Sequence, residues 1–401
     1  MTAGASPGSR AEPQAREHRT SPRAAQVAVV VTFFVHGLLF ASWTAHIPHV
    51  KASLGINDGT LGLALLGTPL GSVAAMAIVG WALPRTGSRA AVRVALLGYA
   101  LAGPLVGVTG SVPGLFLALA LWGAFQGTLD VSMNTQAIAV ERRRRRPLMN
   151  GMHAWWSIGA FAGAGVGALG VAIGLSLSRQ LLLLAVPVLL AGELLATRML
   201  PDRATPSAAE RQDQPRTRRL SGPVLALGAI AFAAMLCEGA AADWSSVYLR
   251  ESAGGSPGVA GLGYASFALA MVLVRGLGDR LLSRFGARSV LSVLALIATA
   301  AVALALAVGT VAAMLVALFL LGLGIGTVVP TAFSAAGRLP GIHPGRGVAG
   351  VSALGWAGFV CGPPIIGQLA DLVSLPAALG VVPLLTALVA LAAARMAALA
   401  E

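Results

Sequence analysis

The stretch GAFQGTLDVSMNTQAIAVERRRRRPLMNGMHAWWSIG, residues 123–159, sets one carboxylate, Asp130, inside an apolar helical run. Five consecutive arginines follow, and then a second apolar run. Gln126, Asp130 and Asn134 recur every four residues and Glu141 comes seven later, so at about 100° per residue they share one helix face. If this run lies in lipid, an aspartate near its centre costs roughly 3 kcal/mol on insertion scales, and its side chain must turn to a bundle interior or a wet cavity. The five cations read first as a topological anchor at the membrane surface and second as a contact for lipid headgroups.

Composition puts the whole chain in the same setting. Its 401 residues are 56% hydrophobic and 11% charged, with mean hydropathy +0.80. Soluble domains carry about 25% charged residues, so there is too little polar surface to cover a water-soluble particle. The net charge is +13, yet the basic residues gather in short segments between apolar runs, which removes nucleic acid as the explanation. Lys51 is the single lysine, a bias expected of a G+C-rich genome. Cys237 and Cys361 both fall in apolar runs and indicate no disulfide framework. Residues 1–25 are polar, lack the apolar core of a secretory signal, and are expected to form a disordered cytoplasmic tail.

A helix needs about 20 apolar residues to cross hydrocarbon. Twelve runs qualify: 26–46, 59–82, 90–109, 113–140, 150–174, 179–200, 223–248, 259–281, 287–308, 310–336, 348–373 and 376–398. With the N-terminus in the cytoplasm and sides alternating, 25 of the 28 basic residues fall inside and Lys51, Arg179 and Arg250 outside. Arg275 is counted there with the connection after the eighth run. Such an asymmetry predicts twelve spans with both termini cytoplasmic.

The polar stretch 201–222 divides the chain into bundles over 26–200 and 223–398. Residues separated by one offset (284 − 85 = 199) correspond across it: RTGSR at 85–89 answers RFGAR at 284–288. Gly123, Gly127 and Thr128 answer Gly322, Gly326 and Thr327, and Gly151, Gly159 and Gly163 answer Gly350, Gly358 and Gly362. The expected fold is an all-α integral membrane protein, twelve transmembrane helices in two six-helix pseudo-repeat bundles. A site then belongs between them near mid-membrane.

On these residues the chain, from about 26 to 398, resembles the major facilitator superfamily. That family carries a basic turn, roughly G-x-x-x-D-R-x-G-R-R, between its second and third spans. Here it reads GWALPRTGSR (80–89), with Pro84 in the acid's place, while the second copy, GDRLLSRFGAR (278–288), keeps Asp279. The resemblance implies gating roles for Arg85, Arg89, Asp279, Arg284 and Arg288, with any acid-to-arginine latch resting on Asp279. The arginine of the fourth span and the G-P-x-x-G-G element of the fifth that mark drug antiporters are missing. DVSMNTQA (130–137), HAWWSIG (153–159) and CEGAAADWSSVYL (237–249) look like the fucose-permease-like branch. That likeness implies cation-coupled uptake of a small polar molecule across the bacterial inner membrane, by a monomer surrounded by lipid.

Asp130 is read as a proton-coupling acid, against a structural acid bonded to Asn134 or a neighbouring helix; Glu238 is the second candidate. Gln126, Asn134, His36, Trp43, Ser157, Trp156 and Thr327 are candidate substrate contacts. His36 reads as a proton relay or as a neutral hydrogen-bonding group. His153 reads as a gate residue or a ligand contact, and Trp155 as an anchor. Glu238 and Asp243 are five residues apart, about 140° around a helix, so they are not expected to face one cavity wall squarely. Glu238 is expected to share a face with Ser245, and Asp243 to form the outer mouth with Trp244. Thr327, Thr331 and Ser334 line the cavity or bond back to their own helix. Glu141 is expected to pair with the arginines at the surface, and Glu193 and Asp371 to be edge residues. No P-loop, H-E-x-x-H or paired-cysteine metal spacing occurs, so neither an enzyme nor a cofactor or metal is expected. The partners expected are a small-molecule substrate and protons. Proton-coupled symport leads, ahead of proton-linked efflux and of a non-transporting receptor or assembly factor.

Overall fold

The computed structural model describes residues 21–146, 148–201 and 221–396. Among them are twelve helices long and apolar enough to cross a membrane, and no strands. They are α1 (Pro22–Leu54), α2 (Asp58–Thr86), α3 (Ser88–Val106), α4 (Val112–Arg144), α5 (Gly151–Ala172), α6 (Leu177–Ala196), α7 (Gly222–Ser252), α8 (Pro257–Phe285), α9 (Ala287–Val308), α10 (Val311–Ala336), α11 (Gly345–Leu372) and α12 (Leu375–Arg395).

Local chemistry sets the ends. Extended Ser21 followed by Pro22 at the first helical position starts α1 four residues earlier than the sequence suggested, which corrects the tail at residues 22–25. The rest of that tail, and residues 202–220 of the linker, lie outside the described residues. Ser111 and Thr310 accept from Gly114 N and Ala313 N to cap α4 and α10. The two basic turns share one backbone shape: Gly87 and Gly286 sit at φ 78° and 75°, both with ψ 148°, a region open essentially to glycine. That explains why the glycine recurs between the arginines.

The arginine block is partly helical. Arg142, Arg143 and Arg144 form the last turn of α4, where cations suit the dipole, and Arg145 ends it at φ 51°. Glu141 does not simply pair with them. Its Oε2 accepts from Leu148 N and Met149 N at 2.7 and 3.0 Å, capping the start of the following helical segment.

Each half packs alike, α1 on α5 and α2 on α4 in the first, α7 on α11 and α8 on α10 in the second. The repeat is visible at single atoms. A Cβ on Gly123 would strike Thr68 O, and one on Gly322 would strike Phe267 O, the same offset of 199 in both partners. A Cβ on Gly159 would meet Phe34 O and one on Gly358 would meet Phe232 O. Small residues thus let helix backbones touch, which is how helices bind in lipid without a hydrophobic driving force.

The halves meet where α5 packs on α8 and α2 on α11. At the face opposite the arginines they are tied together. Lys51 Nζ lies 2.7 Å from Asp58 and 2.5 Å from Glu251 of the other half. Ser246 donates to Thr44 O at 2.7 Å, and Gln368 to Gly59 O at 3.2 Å. Between these ties small groups meet, Gly62 against Pro363 O and Gly261 against Ala168 and Ala45, and farther in Phe40 stands edge-on to buried Tyr264 of the other half at 6.0 Å.

Candidate functional site

A cavity of about 520 Å³ lies between the halves, walled by α1, α2, α4 and α5 on one side and α7, α8, α10 and α11 on the other. Exposed Asp279 and half-buried Leu282 line it near the arginine-rich face, so it opens there, while the ties at Lys51 close the opposite end.

Of the sequence candidates, Asp130, Glu238, Gln126, His36, Trp43, Trp156, Thr327, His153, Asp243 and Asp279 reach its wall. Asn134 does not. Its Nδ2 donates to Asp130 O at 2.8 Å and to Asp130 Oδ1 at 3.2 Å, so it orients the carboxylate from one turn away. Asp130 thereby combines both readings: it is hydrogen-bonded to Asn134 and still faces the void.

Ser157 also misses the wall. Its Oγ accepts from Arg275 Nη1 at 2.8 Å, across the two halves, and donates to His153 O at 3.3 Å. Arg275 is the main residue that sequence reasoning misplaced. It lines the cavity and does not belong to a loop. Its Nη2 is 4.0 Å from Glu238 Oε2, and its Nε reaches Gly326 O at 3.5 Å. The signal was present: ten residues separate it from Phe285 at the end of α8, about 15 Å of helix and half the hydrocarbon thickness.

Glu238 and Asp243 both face the cavity, with Met235, Gly239 and Ala242 between and beside them. The wall curves around α7 through the 140° separating the two acids. Ser245, seven residues on, keeps the face of Glu238 toward α8 but does not reach the cavity. It lies under Gly263 of α8, and Trp244 is fully buried and does not form a mouth.

His36 is 4% exposed, and its Nδ1 accepts the indole N–H of Trp156 at 2.8 Å. Indole nitrogen is a donor only, so this bond requires the neutral ring with its proton on Nε2. That geometry favours the hydrogen-bonding role over the relay. Helix α10 breaks between Ile325 and Val328; Thr327 and Thr331 line the cavity, and neither hydroxyl back-bonds, both being buried without a partner among the described residues. Ser334 instead accepts from Arg338 at 2.7 Å. Trp155 is exposed on the outside of the bundle, edge-on to Phe34.

Arg85, Arg284 and Arg288 make their contacts within their own halves. Arg85 donates to Trp81 O and lies over the Trp81 ring at 4.3 Å. Arg284 lies over Phe285 at 5.4 Å, and Arg288 donates to Ala394 O. Arg89 is half-buried at the start of α3. Among the described residues no ion pair joins Arg85, Arg284, Arg288 or Asp279 to the opposite half, as fits a mouth that is open on this side. No group of three or more metal-ligating side chains occurs among the described residues.

The sequence that forms these two halves is matched by a profile described as the Major Facilitator Superfamily over residues 28–254 and 227–399. The chain belongs to the major facilitator superfamily. Within it, an uncharacterized MFS-type transporter of Yersinia pestis is 36% identical over 369 residues, 92% of this chain and 94% of that protein. Membrane protein MosC of Rhizobium meliloti is 33% identical over 356 residues, 88% and 85% of the two chains. Among solved structures, nucleoside transporter NupG covers 92% of this chain and 98% of its own at TM-score 0.69 and 13% identity. A D-xylose-proton symporter does so at TM-score 0.69 and 14% identity. This major facilitator protein is therefore a multi-pass membrane transporter by family, not an enzyme.

Proposed function

We propose that the chain is a secondary active transporter carrying a small polar solute by alternating access, coupled to protons in symport. The observation that carries this is the placement of Asp130: a carboxylate on the wall of a void between two matched bundles, reachable from one face while the other is closed. With the arginine-rich face taken as the cytoplasm of a bacterial inner membrane, the conformation is inward-open, both termini are cytoplasmic, and the outer ties at Lys51 must part for the cavity to face outward. Asp130 then meets each side in turn and exchanges a proton in each cycle, with Asn134 fixing its orientation. Gln126, His36, Trp43, Trp156 and Thr327 meet the solute. The Glu238–Arg275–Ser157 bridge joins the halves inside the cavity and reports the state of Glu238 to both. The fucose-permease-like assignment, and a single chain in lipid as the working unit, belong to this reading.

The test is solute uptake into proteoliposomes with and without an inward proton gradient. Wild type should accumulate solute only with the gradient, and Asp130→Asn should lose accumulation yet keep solute exchange. Gradient-driven accumulation retained in Asp130→Asn removes the mechanism. Proton-linked efflux is the second reading, favoured by the soft walls that Met76, Met133, Met149 and Met235 supply. Resistance gained on overexpression in whole cells would favour it.

A further inference from the structure

The outer part of α1 departs from one straight helix. It runs α-helical from Pro22 to Ser42, tightens to a 3₁₀ turn over Thr44–His46, and resumes over Ile47–Leu54. In the turn His46 N donates to Trp43 O at 2.8 Å and Ile47 N to Thr44 O, three residues back instead of four. Pro48 has no N–H to give Thr44 O the longer bond, which weakens the α-helix here. It does not decide what His46 N bonds to. In an unbroken α-helix that N–H would reach Ser42 O.

Gln180, near the outer end of α6, occupies Ser42 O instead. Its Nε2 donates to that carbonyl at 2.8 Å, and its Oε1 lies 3.0 Å from His46 Nε2. With the amide nitrogen on a carbonyl, Oε1 can only accept, so the ring nitrogen carries the proton and both bonds form in one orientation. One amide thus holds the backbone before the turn and the side chain after it. Ser42, His46 and Gln180 are 0, 1 and 2% exposed. Room for the amide comes from Gly170 of α5, where a Cβ would strike Gln180 Oε1. The fold does not require this clamp. At the offset of 199, Ser42, His46, Pro48 and Gln180 answer Ala241, Ser245, Val247 and Leu379, and α7 stays α-helical through Val247.

What the clamp controls lies beyond it. Lys51, five residues past His46, meets Glu251 of the other half at 2.5 Å, and Thr44 O accepts from Ser246. A 3₁₀ turn advances about 120° per residue and an α-helix about 100°. Returning Thr44–His46 to α-helical form would rotate the segment after them by about 60°. At a side-chain radius of about 5 Å this carries Lys51 sideways by about 5 Å, which breaks its contact with Glu251. We infer that Gln180 is a positioning residue of the outer gate: its amide fixes the 3₁₀ turn in α1 and so sets Lys51 against Glu251. It touches no solute and acts through the ion pair. The role rests on the alternating-access reading above, in which that pair must part.

Pulsed electron–electron resonance between spin labels at Gly110 and Ser256, in the full chain lacking Cys237 and Cys361, reads the gap between the halves. Gly110 is exposed, has open space around it and lies off α1, so rotation of the outer segment is not itself measured. Gln180→Leu installs the residue found at the equivalent place in the second half. It should raise the long-distance population at least about fivefold, as Glu251→Gln should. Because both act on one contact, the double variant should shift no further than Glu251→Gln alone. His46→Leu removes the other end of the clamp, should act as Gln180→Leu does, and decides the matter where that variant does not fold. A merely structural glutamine would lower the melting temperature and leave the distances alone, or would add its shift to that of Glu251→Gln; either result overturns the inference. So does an unchanged distribution in Glu251→Gln, since there would be no latch to position. No solute enters the measurement, so a failure here leaves proton-coupled transport to be judged by uptake into proteoliposomes.

Discussion

Replacing Glu251 by glutamine should shift the conformational equilibrium of the two halves. Lys51 sits between two carboxylates, but they differ in kind. Asp58 belongs to the same half as Lys51, whereas Glu251 belongs to the other. Only the Glu251 arm must break when the closed face opens; Asp58 holds the ammonium in place throughout. At 2.5 Å and an effective dielectric constant near 20, the bare attraction is roughly 7 kcal/mol. Glu251 is 37% exposed, so solvent screening and the desolvation that opening would relieve reduce the net contribution to about 1–2 kcal/mol. That is about a 5- to 30-fold change in the equilibrium. A state populated at about 1% would rise to roughly 5–25%. Spin labels at exposed Ala52 and Ser256, in a background lacking Cys237 and Cys361, would report it as a new long-distance population in pulsed electron–electron resonance. Asp58→Asn, which removes the arm within one half, should move the distribution less. An unchanged distance distribution in Glu251→Gln, or an equal shift in Asp58→Asn, refutes the reasoning.

Other consequences are simpler. Gly159→Val places a branched side chain against Phe34 O, where the α1 and α5 backbones touch, and should lower the melting temperature of the detergent-purified protein by several degrees or prevent its accumulation. Glu141→Ala removes the acceptor of two backbone N–H groups and should cost about 1–2 kcal/mol in stability, read by thermal unfolding, with solute affinity unchanged. Trp156→Phe deletes the donor to His36 Nδ1 and should weaken solute binding more than it lowers stability. Equal effects on the two measurements would reduce that bond to a packing feature.

The spans and the two-half plan were legible because both depend on quantities a sequence carries directly, apolar length and a constant offset. In a chain with 50 glycines the match of Gly123 to Gly322 carries little weight by itself, and each proves to mark a backbone contact with the equivalent partner. Side-chain duty was less legible. Helical spacing put Asn134 on the face of Asp130 correctly, yet spacing cannot say that its amide is spent on Asp130 itself. Counting Arg275 among loop cations treated nearness to a span's end as exposure, although α8 runs on to Phe285. Glu238 and Asp243 were separated by an angle that assumes a flat wall, whereas the void curves around α7. Glu141 was read through its neighbours in sequence, but its partners lie across the turn at Leu148 and Met149.

Where the halves press together at the sealed end, Gly62 faces a proline carbonyl and Gly261 faces alanines. Such a seam behaves as two smooth plates more than as meshed gears. Apart from the ring contact of Phe40 with Tyr264, small groups face each other there, so the resistance to parting is concentrated in a few polar rivets at its edge. A transporter built this way can set its tempo by exchanging single rivets, without disturbing the plates.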